Sequence, residues 1–143
     1  MKNILFAITL LFSFSFYGQS VNDFNSENDI KNWLDKNAKD PIEGIWMFST
    51  EDLGEYSKSA IIKIDGEFNE IHIECYGQFE AYCNQKNMKV GDVIAKVKKT
   101  HNYGLYSFHE EGSPLGVGVL KGNKLSIDYS GSKVDATKVY PEK

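Results

Sequence analysis

The chain has 143 residues, of which 41% are hydrophobic and 25% charged, and this composition is typical of one ordinary globular domain. Its formal net charge is -4, and none of its basic side chains is arginine. A nucleic-acid or anionic-membrane partner would require a basic surface that neutralises phosphates, so the composition argues against both.

The N-terminus has the pattern of a secretory signal peptide. A short basic start, Met1 to Asn3, precedes an apolar run from Ile4 to Tyr17, and Gly18 to Ser20 supply the small and polar residues of a cleavage site. The apolar run is too short for a comfortable membrane span. We therefore expect residues 1–19 to be removed and the mature protein to be secreted or periplasmic, without a membrane span.

One helix is predicted after the polar lead-in. Ser26 or Asn28 can cap a helix over Glu27 to Ala38, which is acidic in its first turn and stops before Asp40-Pro41. The helix has a narrow apolar stripe, made of Ile30, Trp33 and Leu34. Because the stripe is narrow, we expect it to lie as a plug against the mouth of the β domain that follows.

From residue 45 onward, apolar residues alternate with period two, and turn residues divide the chain into about eight short strands. The predicted strands are Ile45–Thr50, Lys58–Asp65, Phe68–Tyr76, Asp92–Thr100, Tyr103–Glu110, Leu115–Lys121, Leu125–Ser130 and Lys133–Tyr140. Gly77 to Gly91 breaks the pattern and is predicted to be the longest irregular connection, bordering the mouth.

No helical pattern separates the strands, which favours an antiparallel sheet, and closing that sheet removes both exposed edges. We expect a mainly β fold: a single antiparallel up-and-down barrel of about eight strands with a short N-terminal helix. Residues 20–40 would form the lead-in and the helix, and residues 41–143 the barrel.

Alternation along the strands assigns side chains to two faces. The predicted inward face is aliphatic or small: Ala60, Ile62, Ile64, Ile71, Ile73, Cys75, Val93, Ala95 and Val97. The predicted outward face is polar: Ser59, Lys63, Glu70, His72 and Glu74. In the sixth strand, Leu115, Val117 and Val119 share one face, and Gly116 and Gly118 alternate on the other. Such an interior suits a narrow lumen that is filled by side chains or holds one slender ligand.

Gly44 and Trp46 open the first strand, and Lys138 stands on the last strand where the alternation predicts an inward apolar residue. A lysine is tolerated there if its stem packs over an aromatic ring and its ammonium group reaches water or a carbonyl. We predict that Lys138 covers Trp46 and that Gly44, Trp46 and Lys138 close one end of the barrel.

A Gly44-x-Trp46 opening after a short helix, about eight antiparallel strands and a basic residue on the last strand together resemble the lipocalin and fatty-acid-binding (calycin) barrels. The segment Pro41 to Trp46, followed by Ala60 to Lys63, is also similar to secreted lipocalin-like domains of unknown function from Bacteroidetes. The resemblance covers Glu27 to Pro141 and implies a closed barrel preceded by the short helix. In lipocalins the basic residue is typically arginine, whereas here it is Lys138.

Cys75 and Cys83 both fall in the exported part of the chain. An oxidising compartment favours a disulfide that pins the short loop between them. The alternative is that Cys75 is a small buried hydrophobic residue in its strand. Neither a CxxC spacing nor a histidine cluster is present, so no metal site is expected.

The three histidines, His72, His101 and His109, are the available candidate bases. His72 lies between Glu70 and Glu74 on a predicted solvated face, where a zinc or general-base role is the alternative, and His101 is in a turn. His109 ends a strand beside Glu110 and Glu111, where a weak cation site is the alternative, but no residue at ligand spacing completes it. No Gly-x-Ser-x-Gly elbow is present. The sequence therefore predicts no catalytic residue, no enzyme activity and no cofactor.

Five aromatic residues are candidates for lining the mouth of the barrel, although core or rim packing is the alternative for them. They are Phe79, Tyr82, Tyr103, Tyr106 and Phe108. We expect a monomeric module that binds a small apolar or amphipathic molecule. The alternative is a ligand-free structural or protein-interaction module of the cell envelope.

Overall fold

The computed structural model describes residues 23–49 and 54–141. The predicted signal peptide, the end of the predicted first strand at Thr50 and most of the turn after it lie outside the described residues. Two helices and eight strands make up the described part. They are α1 (Glu27–Asn37), β1 (Gly44–Ser49), β2 (Tyr56–Ile64), β3 (Glu67–Tyr76), α2 (Gln78–Gln85), β4 (Val93–Lys99), β5 (Leu105–Glu110), β6 (Gly116–Lys121), β7 (Lys124–Tyr129) and β8 (Ser132–Tyr140).

The eight strands pair in chain order as one closed antiparallel barrel, and β8 pairs with β1. The predicted fold class, an up-and-down barrel preceded by a short helix, is therefore confirmed. Closure leaves no unpaired sheet edge, which is the physical reason for eight strands in this order. Neither helix in the described part has the length and apolarity that a membrane crossing needs.

The lumen of the barrel is filled with side chains. The buried cluster inside it draws apolar residues from seven strands and from the turn before β1: Ile42, Trp46, Phe48, Ile61, Phe68, Val97, Tyr106, Phe108, Leu125, Ile127 and Ala136. The remaining strand, β6, contributes the partly buried Leu120 and two glycines. A Cβ atom on Gly118 would lie 2.5 Å from the Phe108 ring, and one on Gly116 would lie 2.6 Å from the Tyr129 ring. Aromatic rings thus occupy space that the two β6 glycines leave open.

The predicted faces of β2 and β3 were wrong. Ala60, Ile62, Ile64, Ile71 and Ile73 belong to a second buried cluster together with α1, and not to the lumen. The two faces predicted for the sixth strand are confirmed: Leu115, just before β6, and Val117 and Val119 are exposed, whereas Gly116 and Gly118 are buried. Val93, predicted inward, is also exposed at the start of β4.

The role predicted for α1 was also wrong. Ser26 caps this helix by accepting a hydrogen bond from the Asp29 N–H at 3.2 Å, as a capping serine does. The buried stripe of Ile30, Trp33 and Leu34 packs on the outer face of β1, β2 and β3, and does not plug the mouth. Because Ala60, Ile61 and Ile62 are consecutive and all buried, β2 is covered on both faces, once by the lumen and once by α1.

The stretch from Gly77 to Gly91, predicted to be irregular, contains helix α2. Gly77 begins it with a φ of 68°, a backbone conformation that favours glycine. Cys83 is the buried residue of this helix, so its sequence carries no apolar stripe that periodicity could detect.

Candidate functional site

The odd-numbered strands all run the same way, so the barrel has two distinct ends. We call the end where these strands begin the Trp46 end, and the end where they finish the mouth. Helix α2 follows β3 directly and therefore lies at the mouth. The two ends differ in how their polar groups are paired.

At the Trp46 end, the tryptophan indole is fully buried and its Nε1–H donates to the Ile42 carbonyl oxygen at 2.9 Å. The Lys138 ammonium nitrogen lies 4.9 Å from the centroid of the Trp46 ring. It also donates to the carbonyl oxygens of Pro41 and Glu43. Lys138 therefore holds β8 and the turn before β1 against the indole, the position predicted for it.

Gly44 permits this close approach of β8. A Cβ atom at Gly44 would lie 2.5 Å from the Tyr140 carbonyl oxygen and 3.0 Å from the Lys138 Cε atom. The glycine thus makes room for the last strand and its lysine, and not for the Trp46 ring that follows it.

Two acidic side chains at this end each accept more than one hydrogen bond. The buried Glu43 carboxylate accepts backbone N–H groups from Lys39 and Asp40 at 2.8 Å and from Lys63 at 3.1 Å. Asp40 accepts the Lys99 ammonium group at 2.8 Å and the Tyr106 hydroxyl at 2.8 Å.

The pKa values around Asp40 follow from these contacts. Burial opposes the shift, but the hydrogen bonds from Lys99 and Tyr106 hold the pKa of the Asp40 carboxyl below its usual value. Burial and the same hydrogen bond raise the pKa of Tyr106. The polar groups of the Trp46 end therefore have the partners that burial requires.

The mouth is organised differently. Glu70 on β3 is 6% exposed, and its Oε1 atom accepts the Ser59 hydroxyl at 2.7 Å. Tyr82 of α2 donates its hydroxyl to the Glu110 Oε1 atom at 2.8 Å. Tyr129 lies over Gly116, where a Cβ atom would be 2.6 Å from its ring. We call Ser59, Glu70, Tyr82, Glu110 and Tyr129 the mouth cluster.

The electrostatics join these residues into one group. Burial, and to a smaller degree the Glu110 charge, raise the pKa of Glu70 to about 7 against the Ser59 hydrogen bond. Burial followed by the charges of Glu70 and Glu110 raises the pKa of Tyr129. Burial and the hydrogen bond to Glu110 raise the pKa of Tyr82 to about 12. Of the described residues whose interactions shift the pKa of Glu70, none is a cation.

Next to the mouth cluster, Cys75 at the end of β3 is disulfide-bonded to Cys83 of α2. The bond ties α2 to the mouth. His72 was predicted to be solvated, but it is 5% exposed, and burial lowers its pKa. Among the described residues, its Nδ1 atom and the Oε2 atom of Glu55 are buried without a hydrogen-bond partner.

The five predicted aromatic residues do not form one group. Phe79 and Tyr82 are on α2 at the mouth. Tyr106 and Phe108 are buried in the lumen, whereas Tyr103 is 90% exposed in the turn between β4 and β5 at the Trp46 end. Only α2 therefore brings predicted ligand-lining residues to the mouth.

Two residues that matter most at the mouth, Glu70 and His72, were predicted to face solvent, which was wrong. The register of β3 shifts against β2 between Lys58 and Ser59, and against β4 between Glu70 and Ile71. A period-two pattern cannot show such bulges. The available signal was the unbroken apolar run from Ala60 to Ile62, which indicates that β2 and its neighbour have no solvent face.

Surface grooves lie at both ends. A groove of about 350 Å³ at the mouth is lined by Tyr82, Lys86, Met88, Asp92, Val93, Ile94, Glu110 and Glu111. Another, of about 630 Å³, is lined by Asp40, Lys63, Gly66, Glu67, Phe68, residues 96–99 and His109. The groove at the mouth shares Tyr82 and Glu110 with the mouth cluster, so these two residues connect the cluster to the surface.

Comparisons of this chain with protein-family models, with curated proteins and with solved structures found no match.

Proposed function

We propose that this protein is a binding module that takes a small amphipathic molecule with a cationic head at the mouth of its barrel. The filled lumen leaves the mouth as the part of the barrel suited to a ligand. The groove there, about 350 Å³, falls at the lower end of the range usual for small-molecule sites.

The observation that carries the proposal is the buried Glu70 carboxyl. A buried carboxylate is costly unless it is paired, and the second acidic group, Glu110, adds repulsion. An ammonium group placed between Glu70 and Glu110 would relieve both costs, and the hydroxyls of Ser59 and Tyr129 would complete its polar surroundings. An anionic ligand would be repelled by the two carboxylates.

The proposal also covers the fold relation, the location and the oligomeric state of the protein. The closed eight-stranded barrel is compatible with a calycin-like fold, and we propose a lipocalin-like relation on the residues Gly44, Trp46 and Lys138. We also propose that the protein is exported, that it acts as a monomer and that it binds its ligand without reacting with it.

The test uses three compounds that share a phenylethyl skeleton and differ in the head group: 2-phenylethylamine, 2-phenylethanol and phenylacetate. Each is titrated into the ¹⁵N-labelled protein at pH 8 and followed by amide chemical shifts. We expect the amine to bind most tightly and to move the amides of Glu70, Glu110 and Tyr129. Glu70→Gln should weaken binding of the amine about tenfold, the equivalent of roughly 1.4 kcal/mol.

The matched control is Glu67→Gln, which removes the same charge from an exposed position three residues earlier on β3. It should leave amine binding unchanged. Equal or tighter binding of phenylacetate, or an effect of Glu67→Gln as large as that of Glu70→Gln, would contradict the proposal.

The alternative function is a ligand-free structural or protein-interaction module of the cell envelope. The filled lumen favours it, as does the outer face of β6 and β8, where Val117, Val119 and Val134 are exposed. It would be preferred if none of the three compounds moved the amides at the mouth and native mass spectrometry of the purified protein showed no copurified molecule.

A further inference from the structure

Three side chains that could bind a metal ion converge beside the mouth. One ring nitrogen of His72 and the sulfur atoms of Cys75 and Cys83 are the three ligand atoms. They lie within 4.8 Å of one another. Cys83 is buried, Cys75 is half-buried and His72 is 5% exposed. The sequence alone did not indicate this group, because His72 was assigned to the solvated face of its strand.

A second observation is independent of this clustering. The Nδ1 atom of His72 is buried without a hydrogen-bond partner among the described residues. Buried polar atoms are rarely left in this state, and those that are require an explanation. One nitrogen of this ring lies within 4.8 Å of both sulfur atoms, and a buried imidazole with an unpartnered nitrogen beside two sulfur atoms is suited to a metal ion.

Two backbone hydrogen bonds hold His72 to the segment that follows α2. Its N–H donates to the Asp92 carbonyl oxygen at 2.8 Å, and its own carbonyl oxygen accepts the Gly91 N–H at 3.0 Å. Gly91 cannot be replaced easily, since a Cβ atom there would lie 2.2 Å from the Phe24 carbonyl oxygen. The segment after α2 is therefore fixed to β3 at the residue that carries the imidazole, and a ligand in this position is preorganised.

We propose that, after reduction of the Cys75–Cys83 disulfide, His72 and the two cysteine thiolates bind one soft metal ion, with Cu⁺ preferred over Zn²⁺. This site is separate from the ligand proposed for the mouth, and either can hold without the other. It also departs from the expectation of a metal-free protein.

The chemistry balances with a dithiol as the reductant. The dithiol supplies two electrons and two protons to the S–S bond, which becomes two thiols, while the dithiol itself becomes a disulfide. On binding the ion each thiol releases its proton, and the imidazole contributes a lone pair. Reoxidation would remove both thiolates, so the site exists in the reduced protein alone.

The choice of ion follows from the ligand set. Thiolates select soft ions, principally Cu⁺ and Zn²⁺. Structural zinc sites are almost always four-coordinate, whereas the group formed by the described residues supplies three ligand atoms. Two thiolates and one imidazole satisfy Cu⁺, which is stable with three ligands.

The experiment uses the full mature chain, reduced with a dithiol and transferred anaerobically to buffer with a phosphine reductant. Cu⁺ is offered as its complex with a coloured chelator, and the loss of colour measures transfer to the protein. We expect the reduced protein to take up an equimolar amount of Cu⁺ and the oxidised protein to take up none. His72→Gln should weaken Cu⁺ binding at least tenfold, while His101→Gln, an exposed histidine, should leave it unchanged.

A second measurement avoids mutation and so remains decisive if His72→Gln fails to fold. Long-range ¹H–¹⁵N spectra of the reduced wild-type protein should show a metal-induced shift of the His72 ring nitrogen and none for His101 or His109. The proposal is overturned if that shift is missing, if a Cys75→Ser/Cys83→Ser variant binds Cu⁺ as tightly as the reduced protein, or if Zn²⁺ binds more tightly than Cu⁺.

Discussion

The two ends of the barrel bury acidic side chains in opposite ways. At the Trp46 end, Glu43 accepts three backbone N–H groups and Asp40 accepts a lysine and a tyrosine. At the mouth, Glu70 has the Ser59 hydroxyl and the unfavourable charge of Glu110. The first arrangement satisfies each charge inside the protein, whereas the second leaves a charge to be satisfied.

This difference separates structure from candidate function. Where buried polar groups are matched, their role is to fix the backbone, as Glu43 does between the turn before β1 and strand β2. Where they are unmatched, folding alone gives no reason to retain them, since a neutral side chain at the same position would be more stable. The Trp46 end therefore holds β8 against β1, and the mouth is the part of the described chain to which the proposed ligand would bind.

The largest expected effect is that of Trp46→Ala. The change removes the largest fully buried side chain, its hydrogen bond to Ile42 and the ring beneath Lys138. We expect the free energy of unfolding to fall by about 3–5 kcal/mol, measured by urea denaturation. Tyr103→Ala, an exposed aromatic residue at the same end, should change it by less than about 0.5 kcal/mol. A small effect of Trp46→Ala would show that this end is not a closure device.

The second prediction concerns the mouth, where a substitution should raise the free energy of unfolding and not lower it. The pKa of Glu70 is about 7 in the folded protein and near 4.5 in the unfolded chain. As pH rises, the unfolded chain therefore releases this proton first. The folded state then binds more protons, so stability falls between about pH 4.5 and 7 and stays low above pH 7. Glu70→Gln should raise the free energy of unfolding at pH 8 by on the order of 2–3 kcal/mol.

The same variant should match the wild type at about pH 4, where Glu70 is protonated in both states. Urea denaturation at several pH values measures both quantities. Equal stability of Glu70→Gln and the wild type at pH 8 would mean that the carboxyl is satisfied within the protein, and the contrast between the two ends would be lost.

The third prediction applies the identical substitution to the Trp46 end. Glu43→Gln replaces a carboxylate that accepts three N–H groups by an amide with one acceptor oxygen and an NH₂ group that is itself a donor. At least one backbone N–H would lose its partner, and we expect the free energy of unfolding to fall by about 1–2 kcal/mol at pH 8. A gain in stability, as predicted for Glu70→Gln, would remove the distinction between matched and unmatched carboxyls.

The sequence allowed the closed end to be predicted better than the mouth. Trp46 and Lys138 could be placed together because β1 and β8 must pair if the barrel closes, and their register brings the two residues opposite each other. Glu70 and His72 could not be placed, because bulges change the facing of β3 along its length. Helix α2 was missed for a related reason, since it is fixed by a disulfide and carries no apolar stripe that periodicity could show.

The smallest effect expected is a pKa shift at the rim of the mouth. Burial and the hydrogen bond to Glu110 raise the pKa of the Tyr82 phenol to about 12. Glu110→Gln removes the negative charge that opposes ionisation of the phenol, so the pKa of Tyr82 should fall toward its ordinary value near 10. The ¹³Cζ chemical shift of Tyr82 measures this titration, and exposed Tyr103 provides a control that should not respond. An unchanged pKa of Tyr82 would mean that Glu110 does not bear on the phenol, and Tyr82 would then no longer belong to the mouth cluster.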